Sequence, residues 1–290
     1  MFEGVYTALV TPFTADGSAV DYRRLEALVD WQIESGVDGL VPVGTTGESP
    51  TLDYDEHKRV IETVVRRVAG RVKVIAGTGG NSTAEALELT RHAKAVGADG
   101  TLQVTPYYNR PNQTGLLRHF TAVADLGLPV MLYNIPGRTG REIEVATVAE
   151  LARHPSVVAI KEAGGSVERV SRIRALCSIT ILSGDDALTL PMMAVGAAGV
   201  VSVASNVAPR EVGEMVRAAH RGDWNKARAM HDRLFGLFTD LFMDTNPIPV
   251  KAAMAMMGLI EESYRLPLCP MNESSRARLR VTLRALGLVS

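Results

Sequence analysis

Eight short apolar runs, each followed by turn residues and then by a helical pattern, constrain this chain more than any other feature. They are Val5–Val10, Gly39–Val43, Val72–Ala76, Thr101–Thr105, Pro129–Tyr133, Val157–Ile160, Ile179–Leu182 and Val200–Ala204. Most carry no charge over four or five residues, as strands buried on both faces of a parallel sheet do. Their starts lie about 34, 33, 29, 28, 28, 22 and 21 residues apart, close to one strand-plus-helix unit each. Amphipathic stretches fill the intervals, among them Tyr22–Glu34, Asp55–Val68 and Ala84–Val96. Ser82-Thr83-Ala84-Glu85 predicts a capping box at the start of the third helix. Gly36, Gly70 and Gly97 stand where helices should end. Eight such units predict an α/β chain folded as a (β/α)8 TIM barrel over residues 1–209, with the eighth helix continuing to about 221. An open, doubly wound sheet is the alternative. The later part of the chain is helical only, in Glu211–Arg221, Asp223–Phe242, Ile248–Met257 and Ser274–Leu286. Residues 222–290 are therefore expected to form a C-terminal helical extension, a feature that often serves oligomerisation.

Charge and cysteine usage narrow the function. With 31 basic and 32 acidic residues, the chain lacks the basic excess or stripe that a nucleic-acid binder usually shows. Cys177 and Cys269 are far apart and form no CxxC pair, which argues against a disulfide scaffold or a zinc ribbon. Met1–Tyr6 does not have the basic and apolar regions of a signal peptide. The uncharged stretch Ala187–Pro209 is interrupted by Pro191, Gly196, Gly199 and Asn206, so a short buried helix and a buried strand are expected there instead of a membrane span. A cytoplasmic protein is the expectation.

In a barrel, reactive groups gather at the C-terminal ends of the strands. The chain has six lysines against 25 arginines, and only Lys161 follows directly on a buried strand. Loss of hydration there favours the neutral amine, which can attack a carbonyl. An arginine stays protonated and cannot do so. The competing interpretation pairs Lys161 with Glu162 on the rim. Tyr133 ends the neighbouring strand and can shuttle protons, with Thr45 and Tyr108 as hydroxyls that would extend a relay; taken alone, it is better explained as a core tyrosine. Gly44-Thr45-Thr46-Gly47 is a tight turn whose N–H groups can hold a small carboxylate. The histidines, His57, His92, His119, His154, His220 and His231, fall on helices or just after one, so no metal centre is expected in the mouth. Asp185-Asp186 is expected to serve structure. Gly77-Thr78-Gly79-Gly80 follows the third strand, whereas barrels usually bind phosphate after the seventh or eighth, so neither a phosphorylated substrate nor a nucleotide is expected.

Five motifs carry a resemblance that runs over the whole chain: GTTGES at Gly44–Ser49, VTPYYNRP at Val104–Pro111, YNIPGRTG at Tyr133–Gly140, IKEA at Ile160–Ala163 and SGDD at Ser183–Asp186. The chain resembles the 4-hydroxy-tetrahydrodipicolinate (dihydrodipicolinate) synthases of the lysine pathway. Sugar-acid and sialic-acid aldolases share the fold, the lysine and the tyrosine; Arg138 and the paired tyrosines set the synthases apart. The resemblance implies a metal-independent, cofactor-free homotetramer that condenses pyruvate with L-aspartate 4-semialdehyde. It implies a Schiff base on Lys161, proton transfer by Tyr133 through Thr45 to Tyr108 of a neighbouring subunit, pyruvate contacts from Thr46 and Val201, and Arg138 on the semialdehyde carboxylate. It also implies an L-lysine pocket formed by Ser49, Pro50, Tyr54, His57, Asn81, Glu85 and Tyr107. Tyr54 departs from the histidine common in regulated members, and Glu85 has a competing duty in the expected capping box. The rivals are a sister aldolase and a catalytically silent, metabolite-binding barrel.

Overall fold

A computed structural model describes residues 2–290. All eight apolar runs become strands, shifted by no more than two residues at most of their ends. The first half runs β1 Gly4–Ala8, α1 Tyr22–Glu34, β2 Gly39–Val41, α2 Tyr54–Val68, β3 Lys73–Gly77, α3 Thr83–Ala95, β4 Gly100–Val104 and α4 Gln113–Ala124. The second half runs β5 Val130–Asn134, a single helical turn α5 Pro136–Thr139, α6 Val145–Leu151, β6 Val157–Glu162, α7 Val167–Arg174, β7 Thr180–Ser183, α8 Thr189–Ala194 and β8 Gly199–Ser202. Each strand pairs in parallel with the next, and β8 pairs with β1, so the sheet closes into a barrel. The doubly wound alternative is excluded. Helices α9 Pro209–His220, α10 Trp224–Asp240, α11 Ile248–Met256 and α12 Glu273–Ala285 follow β8. No helix of the described residues is long and apolar enough to cross a membrane; Ala187–Pro209 holds the short helix α8 and the buried strand β8.

The two-residue period of a strand sorts side chains into two layers. Tyr6, Val41, Ile75, Leu102, Met131, Tyr133, Ala159, Leu182 and Val201 fill the barrel interior. Their neighbours along the strands, such as Val130, Leu132 and Ile160, face outward into a larger apolar layer under the helices. The helix ends obey local chemistry in part. Gly36, Gly70 and Gly97 have φ of 80°, 75° and 88°, the left-handed conformation that stops a helix at little cost for glycine. The capping box expected at Ser82 does not form, since the Ser82 side chain caps nothing. It forms instead on α2, where Asp53 accepts from the Glu56 N–H and Glu56 returns a bond to the Asp53 N–H.

The extension does more than pack on the outside. Asn246 donates from its side chain to Thr46 Oγ1 at 3.0 Å, and its carbonyl accepts from Arg138 at 3.0 Å. Lys251, fully buried on α11, meets the equally buried Glu48 at 2.5 Å and lies over the Phe13 ring. Arg265 binds Glu56 and the carbonyls of Gly17 and Thr51. The turn that follows β2 is thus held by residues from the far end of the chain.

One buried histidine ties the helical layer to pH. His119 on α4 shares a hydrogen bond with Thr83 at 2.9 Å, its Nε2 has no partner, and burial pushes its imidazole down to about 4. Between the ordinary value near 6.5 and about 4, the unfolded chain takes up a proton that the folded chain refuses. Stability should therefore fall as pH drops through that window, by roughly 3 kcal/mol at its lower end. Denaturant unfolding at pH 7 and at pH 4.5 should show this loss in the parent and a smaller one in His119→Gln; equal losses would clear His119 of the effect.

Candidate active site

Strand pairing sets the centre of the site. Tyr133 on β5 and Lys161 on β6 are register partners, both facing inward at the upper end of the barrel. Lys161 therefore lies within its strand and not beyond it. Its side chain is only 5 % exposed, and Nζ stands 4.3 Å from the centre of the Tyr133 ring. Among the described residues, no carboxylate pairs with it. Glu162 points to the opposite face and binds Asn134, Gly164 and Arg169, so the rim pairing does not occur. An amine without an ion partner, beside a phenol, is poised for attack on a carbonyl. The stem of Lys161 has its room from Gly184 after β7: a Cβ there would stand 3.0 Å from both Cγ and Cε of Lys161 and 2.8 Å from the Ala163 Cβ.

A cavity of about 180 Å³ opens beside Tyr133, lined among others by Thr45, Leu102, Tyr107, Tyr133, Ile135 and Arg138; Lys161 is not on its lining and reaches it only past the Tyr133 ring. Arg138 sits in the single turn α5, exposed to the cavity, with one guanidinium nitrogen on the Asn246 carbonyl and the rest free to meet an anion. Thr46 and Val201 are buried beside the mouth, not on the cavity lining; Thr46 is held by Asn246, and Val201 is packed in the barrel interior. In the turn after β2, the N–H groups of Gly47, Glu48 and Ser49 are spent on the turn's own carbonyls. Those of Gly44, Thr45 and Thr46 are left for a bound carboxylate.

The expected relay is incomplete within one chain. Tyr133 OH bonds to neither Thr45 nor Tyr108, and Tyr108 is 92 % exposed on a loop residue with φ of 72°. A second, smaller cavity of about 170 Å³ lies behind the first, lined by Ser49, Pro50, Tyr54, His57, Glu85 and Tyr107, together with Leu52, Gly79 and Leu89. Asn81 is not on its lining; its carbonyl accepts from Asn109. His57 is buried and bonded to the Gly77 carbonyl at 2.8 Å, and burial lowers its basicity, so it meets the cavity as a neutral ring. With the Ser82 cap absent, Glu85 is half-buried beside the Tyr54 phenol. Burial, and secondarily Glu85, raises the Tyr107 phenol. Sequence reasoning gave no role to Asn246, Lys251 or Glu48. The only signal was that Glu48 lies in GTTGES and the other two in the run Asn246-Pro247-Ile248-Pro249-Val250-Lys251.

A closed parallel barrel with an unpaired amine and a phenol side by side in its mouth is, as a class, a barrel enzyme equipped for amine-based carbonyl chemistry. Comparison with known proteins sharpens the class. Residues 1–286 match the family model described as the dihydrodipicolinate synthetase family. The chain is 55 % identical over its whole length to the 4-hydroxy-tetrahydrodipicolinate synthase of Pelobacter propionicus, all of which is covered. The dihydrodipicolinate synthase structure from Aquifex aeolicus superposes with a TM-score of 0.97 at 51 % identity over 99 % of each chain. Two further synthase structures also superpose at 0.97: the chloride-inhibited Acinetobacter baumannii enzyme complexed with pyruvate, at 44 % identity over 100 % of each chain, and the Cyanidioschyzon merolae enzyme with lysine bound, at 45 % over 99 % of each. The chain belongs to the dihydrodipicolinate synthetase family.

Because a methyl group at position 184 would collide with the Lys161 stem, Gly184→Ala should displace the amine. A shift approaching 1 Å at a reacting group can cost on the order of a hundredfold in rate. We expect a fall of at least about tenfold in kcat, together with a loss of about 1–3 kcal/mol of stability from crowding against Ala163. A variant with parental kcat would show that the stem accommodates the methyl freely.

Proposed function

We propose that Lys161 carries the chemistry of this chain by forming a Schiff base with pyruvate. The activity is that of a 4-hydroxy-tetrahydrodipicolinate synthase, a lyase of lysine biosynthesis. The observation that carries the mechanistic reading is the Lys161 amine, buried, free of any carboxylate and stacked on Tyr133. The amine adds to the keto carbon of pyruvate, and loss of water leaves an imine. Removal of a methyl proton converts the imine to an enamine, whose carbon attacks the aldehyde of L-aspartate 4-semialdehyde, and the resulting alkoxide is protonated. The amino group of the second substrate then displaces Lys161 and closes the ring, which restores the free amine. Tyr133 is the nearest group able to pass these protons. The free N–H groups of Thr45 and Thr46 suit the pyruvate carboxylate, with Val201 packed behind the bound keto acid, and the free edge of Arg138 suits the semialdehyde carboxylate.

Assembly belongs to the same reading. Tyr108 is 92 % exposed on a loop whose backbone is held in the left-handed region at φ of 72°, an unusual conformation for a tyrosine that suits a group presented to a partner. Tyr108 is read as entering the relay of a neighbouring subunit through Thr45, in a homotetramer. The reading places the enzyme in the cytoplasm, a setting that suits its two free thiols, Cys177 and Cys269.

Borohydride reduction with pyruvate should leave an adduct on the peptide containing Lys161 and on no other. Arg138→Ala should give the same adduct yet lose roughly 30- to 1,000-fold in kcat/KM for the semialdehyde, the cost of a charge-assisted bidentate partner. An adduct on Lys251, or loss of the adduct in Arg138→Ala, would overturn these assignments.

The second cavity supports a regulatory reading: L-lysine occupies it, with its ammonium on Glu85. Ser49, Pro50, Gly79 and Tyr107 line both cavities, so an occupant of one presses on the wall of the other. A tenfold change in substrate affinity needs only about 1.4 kcal/mol of coupling. Millimolar lysine should slow the parent enzyme and slow Glu85→Ala much less. Parental rates that ignore saturating lysine would refute regulation through this cavity.

A further inference from the structure

We propose that Arg169 and Glu162 are positioning residues: an ion pair on the outer face of the β5–β6 ladder that fixes Lys161 against Tyr133 and holds the loop that follows Arg138. The inference rests on the assignment of Lys161 and Arg138 given above and adds to it residues that never touch the substrates.

The argument begins with the strand period. If Tyr133 and Lys161 face inward as register partners, the next pair, Asn134 and Glu162, must face outward. Both are fully buried. A carboxylate buried in this way is strongly unfavourable unless its oxygens are satisfied. Here Glu162 Oε1 accepts from the Asn134 side chain and from the Gly164 N–H, each at 2.8 Å, and Oε2 accepts from Arg169 Nε at 2.9 Å. Gly164 makes room for this, because a Cβ there would stand 2.7 Å from Oε1. The bond from Asn134 to Glu162 staples the two strands one residue beyond the reactive pair.

Arg169, from α7, extends the staple to the loop. Its Nη2 donates to the Ile143 carbonyl at 2.7 Å, and the Ile143 N–H donates to Asn134 Oδ1 at 3.0 Å. Its Nη1 reaches the half-exposed Glu142 at 2.8 Å. The segment Glu142-Ile143, only a few residues past Arg138, is therefore pinned to the two strand ends that carry the phenol and the amine. Only a guanidinium can satisfy three acceptors in one plane, so a lysine at 169 would keep the charge and lose the loop.

The pair also contributes to the fold, and the test must separate the two roles. Removing one partner from a buried ion pair is strongly destabilising, whereas replacing both by neutral groups of similar size is often close to neutral. The variants are Arg169→Met, Arg169→Lys and the double variant Glu162→Gln/Arg169→Met. Each is measured for thermal stability, for the rate of borohydride-trapped pyruvate adduct on Lys161, and for kcat and KM with both substrates. Arg169→Met is expected to be the least stable. The double variant should recover most of the stability but keep a ten- to hundredfold deficit in kcat/KM and in trapping rate, with a raised KM for the semialdehyde. Arg169→Lys should show the same raised KM with a smaller loss of stability than Arg169→Met, because it keeps the charge beside Glu162. Parental rates and KM in a folded double variant, or in Arg169→Lys, would make the pair a purely structural element and overturn the proposal. A parent enzyme with no adduct on Lys161 would instead remove the assignment on which the proposal stands.

Discussion

Parallel pairing of β5 with β6 is the constraint on which the rest of this structure depends. One register fixes four side chains at once: Tyr133 and Lys161 toward the barrel interior, Asn134 and Glu162 toward the helices. A slip of one residue would send the amine into the apolar layer under the helices and bring a carboxylate into the mouth. The inward pair has the chemistry of the site, and the outward pair has the hydrogen bonds that make the register worth keeping. A closed sheet enforces this further, because no strand can shift without breaking its pairing on both sides.

Two buried lysines show how position decides what an amine can do. Lys251 has a carboxylate at 2.5 Å and an aromatic ring beneath it. Burial lowers its basicity and Glu48 opposes that shift, so it acts as a structural cation that clamps the turn after β2. Lys161 has the ring without the carboxylate. A carboxylate at hydrogen-bond distance holds the proton on an amine and removes it as a nucleophile. Lys161 has no such partner, because Glu162 turns outward to Asn134, Gly164 and Arg169.

Much of this was legible in the sequence because it depends on local pattern. Uncharged β-branched runs, regular spacing and glycines at helix ends made the barrel visible, and the shortage of lysines made Lys161 stand out. The interior partner of Lys161 was legible too, since Tyr133 ends the adjacent run. Less legible were contacts whose partners are distant in sequence: Asn246 with Thr46 and Lys251 with Glu48 join residues 200 and 203 positions apart. Lys251 appeared only as one more residue of the extension, because nothing in its neighbours announces a buried carboxylate. Local pattern also misled once: Ser82 and Glu85 have the spacing of a capping box, yet the box forms at Asp53 and Glu56. Tyr108 is a different case, since its exposure gains meaning only when another subunit is considered.

The grip of Asn246 and Lys251 on the turn after β2 has a temporal side. During synthesis, β1 through β8 emerge well before these residues do, and domains form as their last necessary contacts become available. The barrel can close on the pairing of β8 with β1 while Thr46 and Glu48 still await partners. Glu48 is then a buried carboxylate in waiting, and the turn has no reason to adopt its final shape. The mouth is therefore complete only once residues 246 and 251 have joined the barrel, and a barrel without them has its amine but not its full substrate cradle.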